Sequence, residues 1–171
     1  DHRDLHLSLR RQRQMCIRDR LELKASEMNI QLELANESSS PIVYADKNKI
    51  QQVFMNLISN SIKYGKEGGI TRVRFFDMEN NMLIEIADNG IGIESESLDR
   101  LFERFYRVEK SRNRNKGGSG IGLSIVKHIL DSHNQEITVK SKLEKGTIFT
   151  FFLDISKGGK VLYSTLEQTY N

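Results

Sequence analysis

Residues 88–92 read Asp-Asn-Gly-Ile-Gly, and residues 117–123 read Gly-Gly-Ser-Gly-Ile-Gly-Leu. Between and around them the chain alternates strand-like and helix-like patterns. Upstream, Asn56, Asn60 and Lys63 recur at i, i+4 and i+7, a spacing that gathers them on one flank of a helix. Glycine lets backbone approach a ligand closely and adopt dihedrals that other residues avoid. Amide oxygens and an ammonium suit a metal-bound phosphate chain. Taken together and in this order, the three segments outline a nucleotide pocket.

The periodicities around these segments define the elements. Leu21–Met28 reads as the end of a helix, and Ile30, Leu32 and Leu34 alternate as a half-buried strand does. Pro41 opens a short strand over Ile42–Ala45, and Asp46 is placed to cap a helix. That helix carries Ile50, Val53, Phe54, Leu57, Ile58 and Ile62 at helical spacing. Gly65, Gly68 and Gly69 end it. Strands are predicted over Thr71–Phe75 and Met82–Ala87, joined by a turn at Glu79-Asn-Asn81. Ser97–Tyr106 reads as a short helix. A second long helix starts at Gly120, with Ile125, Val126, Ile129 and Leu130 inward, and a hairpin of Ile137–Ser141 and Thr147–Ile155 closes the pattern. The order predicts an α/β sandwich, with one mixed, largely antiparallel sheet covered on one face by helices.

Composition narrows the class. With 171 residues, 37% of them hydrophobic, the chain is expected to form one domain with tails. No apolar run approaches the roughly 20 residues of a membrane span. The single Cys16 excludes an internal disulfide framework. The formal charge is +3, but residues 1–20 hold six Arg against three Asp, and the remainder balances. A pI near 9.0 is thus weak evidence for nucleic acid. Arg11–Arg20 resembles the translation of sequencing-adaptor read-through, so residues 1–20 are read as a non-native extension. The division expected is 1–20 extension, 21–45 linker-helix end and first strands, 46–156 core, and 157–171 tail.

Each motif alone has a plainer explanation. A solvated polar face accounts for Asn56, Asn60 and Lys63 about as well as a metal and phosphate site does. Asp88 could accept from an adenine amine, but Asp-Asn-Gly is also an ordinary turn. Gly118-x-Gly120-x-Gly122 exposes N–H groups at a helix start, where phosphate binds. It lacks the spacing of a dinucleotide fingerprint and the lysine of a P-loop. The basic loop Arg107–Lys116 fits a lid over an anionic ligand better than a nucleic-acid surface, despite Phe102, Phe105 and Tyr106 nearby. His128 and His133 read as structural or surface residues. No metal-ligand cluster and no Ser/His/Asp set is evident.

The combination is more specific than its parts. Residues 46–156 resemble the catalytic ATP-binding domain of sensor histidine kinases, in the Bergerat-fold ATPase superfamily. Asn56–Tyr64 is similar to the N box, Asp88–Gly92 to the G1 box, Leu101–Arg107 to the F box and Gly118–Leu123 to the G2 box. Gly146-Thr147 is similar to a weaker G3 element. The resemblance implies ATP and Mg2+ as cofactors, with Asn60 as the metal ligand and Asn56 supporting it. It implies that Asn56, Lys63 and Arg107 form the catalytic set, Lys63 and Arg107 through the phosphates. Tyr64, Asp88, Gly90, Gly92, Phe105, Gly118, Ser119, Gly120, Gly122, Leu123 and Thr147 would line the nucleotide site, Asp88 reading adenine. Residues 106–118 would be the lid.

Related ATPases such as gyrase have Glu where Asn56 stands, and that Glu activates water. Asn cannot act as a base, so the resemblance implies transfer rather than rapid hydrolysis. Sensor kinases carry a phosphoacceptor histidine in a His-Glu/Asp-x-x-x-Pro setting. His2 and His6 lack it. The expected acceptor is therefore a histidine-bearing dimerisation domain outside this chain, with a response regulator downstream and no nucleic acid. The chain is expected to be a monomeric, cytoplasmic fragment with no membrane span of its own, inactive without its acceptor; the full-length protein is open to membrane anchoring. An anti-sigma-factor-type serine kinase shares the fold, although its relatives generally lack the Phe-Glu-Arg-Phe-Tyr-Arg element. A non-catalytic nucleotide-binding module is the other alternative.

Overall fold

In the computed structural model, residues 19–36, 43–108 and 118–155 are described. Helix α1 covers residues 19–27 and strand β1 covers Gln31–Asn36. Helix α2 spans Lys47–Lys63, followed by β2 over Ile70–Asp77 and β3 over Asn81–Asp88. The one-turn helix α3 is Ser95–Leu98, α4 is Gly122–Ser132, and β4 and β5 are Ile137–Lys142 and Gly146–Asp154. The strands form one sheet in the order β1-β2-β3-β5-β4. Only β1 and β2 are parallel; the other three pairings are antiparallel. The mixed, largely antiparallel sheet is as the alternation predicts.

Period-two alternation decides which face the helices cover. Val73, Ile84, Ile86, Phe149, Phe151 and Leu153 all point to one side and are buried. They meet the apolar stripe of α2 and Val126, Ile129 and Leu130 of α4. Phe54 of α2 packs against Phe75 and Phe151, with ring centroids 6.2 Å and 5.8 Å apart. The opposite face carries charge: Arg72 pairs with Glu33 at 2.7 Å, and Arg74 pairs with Glu85 across β2 and β3.

The start of α2 is secured both locally and from a distance in sequence. Asp46 accepts from the Lys49 N–H at 3.0 Å, as an N-cap does. The Asp46 N–H donates to His133 Nε2 at 3.0 Å. The other ring nitrogen of His133 lies 2.8 Å from the Ile129 carbonyl. His133 is thus the structural residue its position suggested, joining the end of α4 to the start of α2.

The boundaries differ from expectation in four places. The first helix begins at residue 19, inside the segment set aside as an extension, and buries Leu21 and Ala25; residues 1–18 lie outside the described residues. The strand expected at Ile42–Ala45 is one antiparallel bridge, Val43 to Ile155. Tyr44 makes a single backbone bond to Asp154 before the chain turns into the cap of α2. The helix expected over Ser97–Tyr106 is only Ser95–Leu98 followed by turns. Phe105 has φ of +64° there, and its N–H is drawn to the Gly120 carbonyl at 2.8 Å. The second long helix starts at Gly122, because Gly120 itself has φ of +71° and cannot be helical. The expected tail, 157–171, lies outside the described residues.

Neighbours on β5 test the burial pattern. Phe151 is 0% exposed and Phe152 is 37% exposed. Phe151→Ala should destabilise by about 3–5 kcal/mol, lowering the melting temperature by roughly 6–20 °C for a chain of this size. Phe152→Ala should change it far less. Equal losses in thermal melts of the two variants would contradict the assignment of faces.

Candidate nucleotide site

The site begins where β3 runs out. The register places Thr71 of β2, Asp88 of β3, Thr147 of β5 and Ser141 of β4 side by side. One row further along, the same strands present Val73, Ile86, Phe149 and Val139. The helix-facing side of the sheet therefore changes from apolar to polar in a single step. Thr71 and Thr147 are buried, and Asp88 is half-buried.

Asp88 is tied in from three directions. Its Oδ1 accepts from the Gly90 N–H at 2.8 Å, and its Oδ2 accepts from Ser61 Oγ at 3.3 Å. Burial pushes its pKa above the ordinary 3.8, because desolvation penalises the charged form; donors from Gly90, Ser61 and the Thr147 backbone pull the other way without winning. Ser61 had no role in the sequence reading. Its signal was a polar residue inside the apolar stripe, between Ile58 and Ile62. Thr147 Oγ1 lies 2.9 Å from Ser141 Oγ, which also accepts from the Ile93 N–H at 2.8 Å.

The turn after Asp88 is wedged between α2 and the β4–β5 hairpin. A Cβ on Gly90 would strike the Tyr64 carbonyl and come within 2.9 Å of Gly65 Cα. Gly92 has φ of +70° and lies against the backbone of Lys142 and Leu143. These two positions require glycine, by close approach and by dihedral. The Ile91 N–H donates to the Tyr64 carbonyl at 3.1 Å, and the Glu144 N–H to the Ile91 carbonyl at 2.8 Å. Asn89 Oδ1 accepts from the Ile70 N–H at 2.8 Å, tying the turn to the start of β2.

The flank of α2 faces the second glycine segment. The Lys63 ammonium lies where a side chain on Gly118 would go, and 4.8 Å from the centroid of the Tyr64 ring. Asn56 Oδ1 is 3.3 Å from where a Cβ on Gly122 would stand. Asn60 lies between them on the same flank, half-buried like Asn56, Lys63 and Tyr64. The helix residues and the Gly118–Gly122 segment are therefore one constellation. Ser119 is exposed, and Leu123 packs on the core.

The Leu101–Arg107 segment reaches the same constellation through the Phe105–Gly120 bond. Tyr106 anchors it, donating its hydroxyl to Ser97 Oγ at 3.0 Å and stacking under Arg100. Phe105 itself is 74% exposed, and Arg107 is half-buried. Most of the expected lid, residues 109–117, lies outside the described residues.

Residues 45–157 match the family of histidine kinase-, DNA gyrase B- and HSP90-like ATPases, and the chain belongs to that family. Its core is accordingly an ATP-binding domain. The chain is 38% identical over 139 residues to the sensor protein CiaH of Streptococcus pneumoniae, covering 81% of this chain and 31% of that protein. It is 42% identical over 113 residues to the sensor histidine kinase WalK of Bacillus subtilis, covering 65% of this chain and 18% of that protein. The chain thus spans about a third or less of the length of these curated relatives. Among solved structures, the catalytic domain of the histidine kinase ThkA superposes with a TM-score of 0.69 at 25% identity, over 84% of this chain and 93% of that one. The mycobacterial sensor histidine kinase MprB gives 0.68 at 26% identity, over 81% and 93%. Among the described residues, no helix is long and apolar enough to cross a membrane.

The buried carboxyl has a measurable signature. Asp88 holds its proton to higher pH in the folded state than in the unfolded chain. Its contribution to stability is therefore complete below the unfolded value and is lost as pH rises through the folded one. Asp88→Asn removes that loss. The melting temperature of the variant minus that of the wild type should increase from below pH 3.8 to neutral pH in the nucleotide-free protein. A difference that is flat or falls with pH would show that Asp88 is not held by desolvation.

Proposed function

We propose that this domain holds Mg2+-ATP and transfers its γ-phosphoryl group to a histidine on a dimerisation domain of a two-component sensor. The observation that carries this reading is the meeting of Asn56 and Lys63 with the Gly118–Gly122 segment, on the helix whose Ser61 bonds the half-buried Asp88. Names of relatives and structural neighbours agree with it, and one ThkA structure is a complex with the response regulator protein TrrA. A response regulator is accordingly proposed as the partner downstream, and the cytoplasm as the place of work.

The residues divide the task. Asp88, an acceptor when ionised, takes a hydrogen bond from the adenine amine. Gly90 and Gly92 let the chain pass close to the base. The glycine segment before α4 offers backbone N–H groups to phosphate, and Lys63 and Arg107 add positive charge. Tyr64, Phe105 and Thr147 line the nucleotide. The half-buried amides, beside the Lys63 ammonium that occupies the space at Gly118, fit a metal–phosphate group, with Asn60 as ligand and Asn56 supporting it. Mg2+ there would neutralise phosphate charge and orient the γ-phosphoryl group.

In the transfer, the bond from γ-phosphorus to the bridging oxygen breaks and a bond to the imidazole nitrogen of the acceptor forms, leaving ADP. This chain's contribution is positioning and electrostatics. Asn56 has no basic lone pair with which to activate water, so hydrolysis should be slow.

Asn60→Ala should weaken Mg2+-ATP binding by at least about tenfold while leaving metal-free ADP binding nearly unchanged, as read by calorimetry. Equal loss for both ligands would remove the metal assignment. The function itself is tested by incubating the chain with γ-labelled ATP and a separate histidine-bearing dimerisation domain. Label should appear on the added domain, be acid-labile, and rise with acceptor concentration because no tether is present. Acid-stable phosphoserine on a partner would favour a serine kinase, and strong self-labelling of the isolated chain would contradict transfer in trans.

A further inference from the structure

The face of the sheet away from α2 and α4 is not uniform. Near its middle it carries the ion pairs Arg72–Glu33 and Arg74–Glu85, as a solvated face does. At the end where β2 turns into β3 it is apolar instead. Phe76, Leu83 and Phe152 stand opposite one another on β2, β3 and β5. Their chain neighbours Phe75, Ile84 and Phe151 pack on the helix side, so these three face the other way. The Arg74 guanidinium lies 5.9 Å from the centre of the Phe76 ring and borders the row. Tyr44 extends the patch. Val43 and Ala45 are buried in the core, and the Tyr44 N–H donates to the Asp154 carbonyl at 2.8 Å. Tyr44 therefore lies opposite Asp154, on the same face as Phe152 and diagonal to it, a separation of about 7–8 Å. Met78 follows two positions after Phe76. Among the described residues six large hydrophobics are exposed, and Tyr44, Met78 and Phe152 are three of them. Apolar residues gathered in this way, rather than scattered, mark an interaction surface.

The chain itself supplies an occupant. Strand β5 leads to Ile155, whose N–H donates to the Asn80 carbonyl at 2.8 Å and which pairs with Val43. The chain thus leaves the sheet between the β2–β3 turn and Tyr44, at the rim of the patch. Residues 156–171, outside the described residues, read Ser-Lys-Gly-Gly-Lys-Val-Leu-Tyr-Ser-Thr-Leu-Glu-Gln-Thr-Tyr-Asn. Gly158-Gly159 permits a reversal that other residues resist. After it, Leu162, Leu166 and Tyr170 recur at i, i+4 and i+8, with Tyr163 beside the first, the spacing of one apolar helical stripe. Residues 160–170 would reach about 16 Å as a helix. From Tyr44 across β5 and β3 to β2 is three strand spacings, about 14 Å. Point of departure, length and apolar pattern all match the patch. We propose that the segment 160–170 folds back on this face and seats Leu162, Leu166 and Tyr170 on Phe152, Leu83 and Phe76. The sheet is then covered on both sides at this end, by a contact within one chain and away from the nucleotide constellation.

The test uses the full chain and three variants: Leu162→Ser with Leu166→Ser, Phe152→Ala, and all three changes together. The double serine variant should melt about 2–4 °C below the wild type, and the loss should not depend on protein concentration, because no second copy is involved. Added to Phe152→Ala, the serine changes should cost little more than Phe152→Ala alone, since both remove the same contact. Backbone amides of residues 160–170 should exchange with solvent more slowly in the wild type than in Phe152→Ala. An unchanged melting temperature in the double serine variant, or an undiminished loss in the Phe152→Ala background, would overturn the proposal. So would wild-type amides that exchange as fast as those of a free peptide of the same sequence. A loss that grows with protein concentration, with dimers in sedimentation, would also overturn it and assign the face to a second copy of the chain.

Discussion

The feature on which the rest of the site depends is a carboxyl group at the end of the central strand β3, held away from water. An ionised carboxylate inside a protein is unfavourable unless donors surround it. Asp88 obtains donors from its own turn, at Gly90, and from helix α2, at Ser61. Each fixes something larger than itself. The first closes the turn that carries the glycines, and the second sets the depth at which the end of α2 rests on the sheet. Even so, burial still outweighs these donors and raises the pKa. In the proposed complex, a hydrogen bond from the adenine amine would offset that residual cost.

Close packing of backbone around this carboxyl explains the glycines better than flexibility does. The turn after β3 passes between the Tyr64 carbonyl on one side and the Lys142–Leu143 backbone on the other. The hydrogen bonds at Ile91 lock it to both. A pocket wall built in this way is preorganised, because three elements must move together to open it. The opposite wall differs. Phe105 is exposed at a positive φ and joins the Gly120 segment by one backbone bond.

In the proposed function, Asn56 sets the chemical character of the domain. A carboxylate at the same point on α2, beside Gly122, would be placed to deprotonate water. An amide cannot take that proton, but it can orient a ligand. On this proposal, one side chain on one helix face would decide between hydrolysis and transfer. This is why membership of the ATPase family and the proposed kinase activity are separate conclusions, the second resting on the site.

Local pattern determined most of the fold. The apolar stripe of α2 and its Asp46 cap, the alternation of β2 and β3, and the final hairpin are all legible in the sequence, because helical and strand periodicities are local properties of which side chains must meet the core. The glycine boxes and the Asn56, Asn60 and Lys63 flank were legible for the same reason. Helix ends were less so: α4 starts two residues late because Gly120 is pulled into a left-handed turn by Phe105, a contact from another segment. What tertiary structure alone decided is the strand order and register. These set Thr71, Asp88, Thr147 and Ser141 in one row, brought Ser61 onto the Asp88 carboxylate, and seated His133 on the N–H of Asp46. Those partners are separated by 6 to 87 positions in the chain. No local period encodes such distances, since they arise only when the sheet has paired and the helices have closed over it.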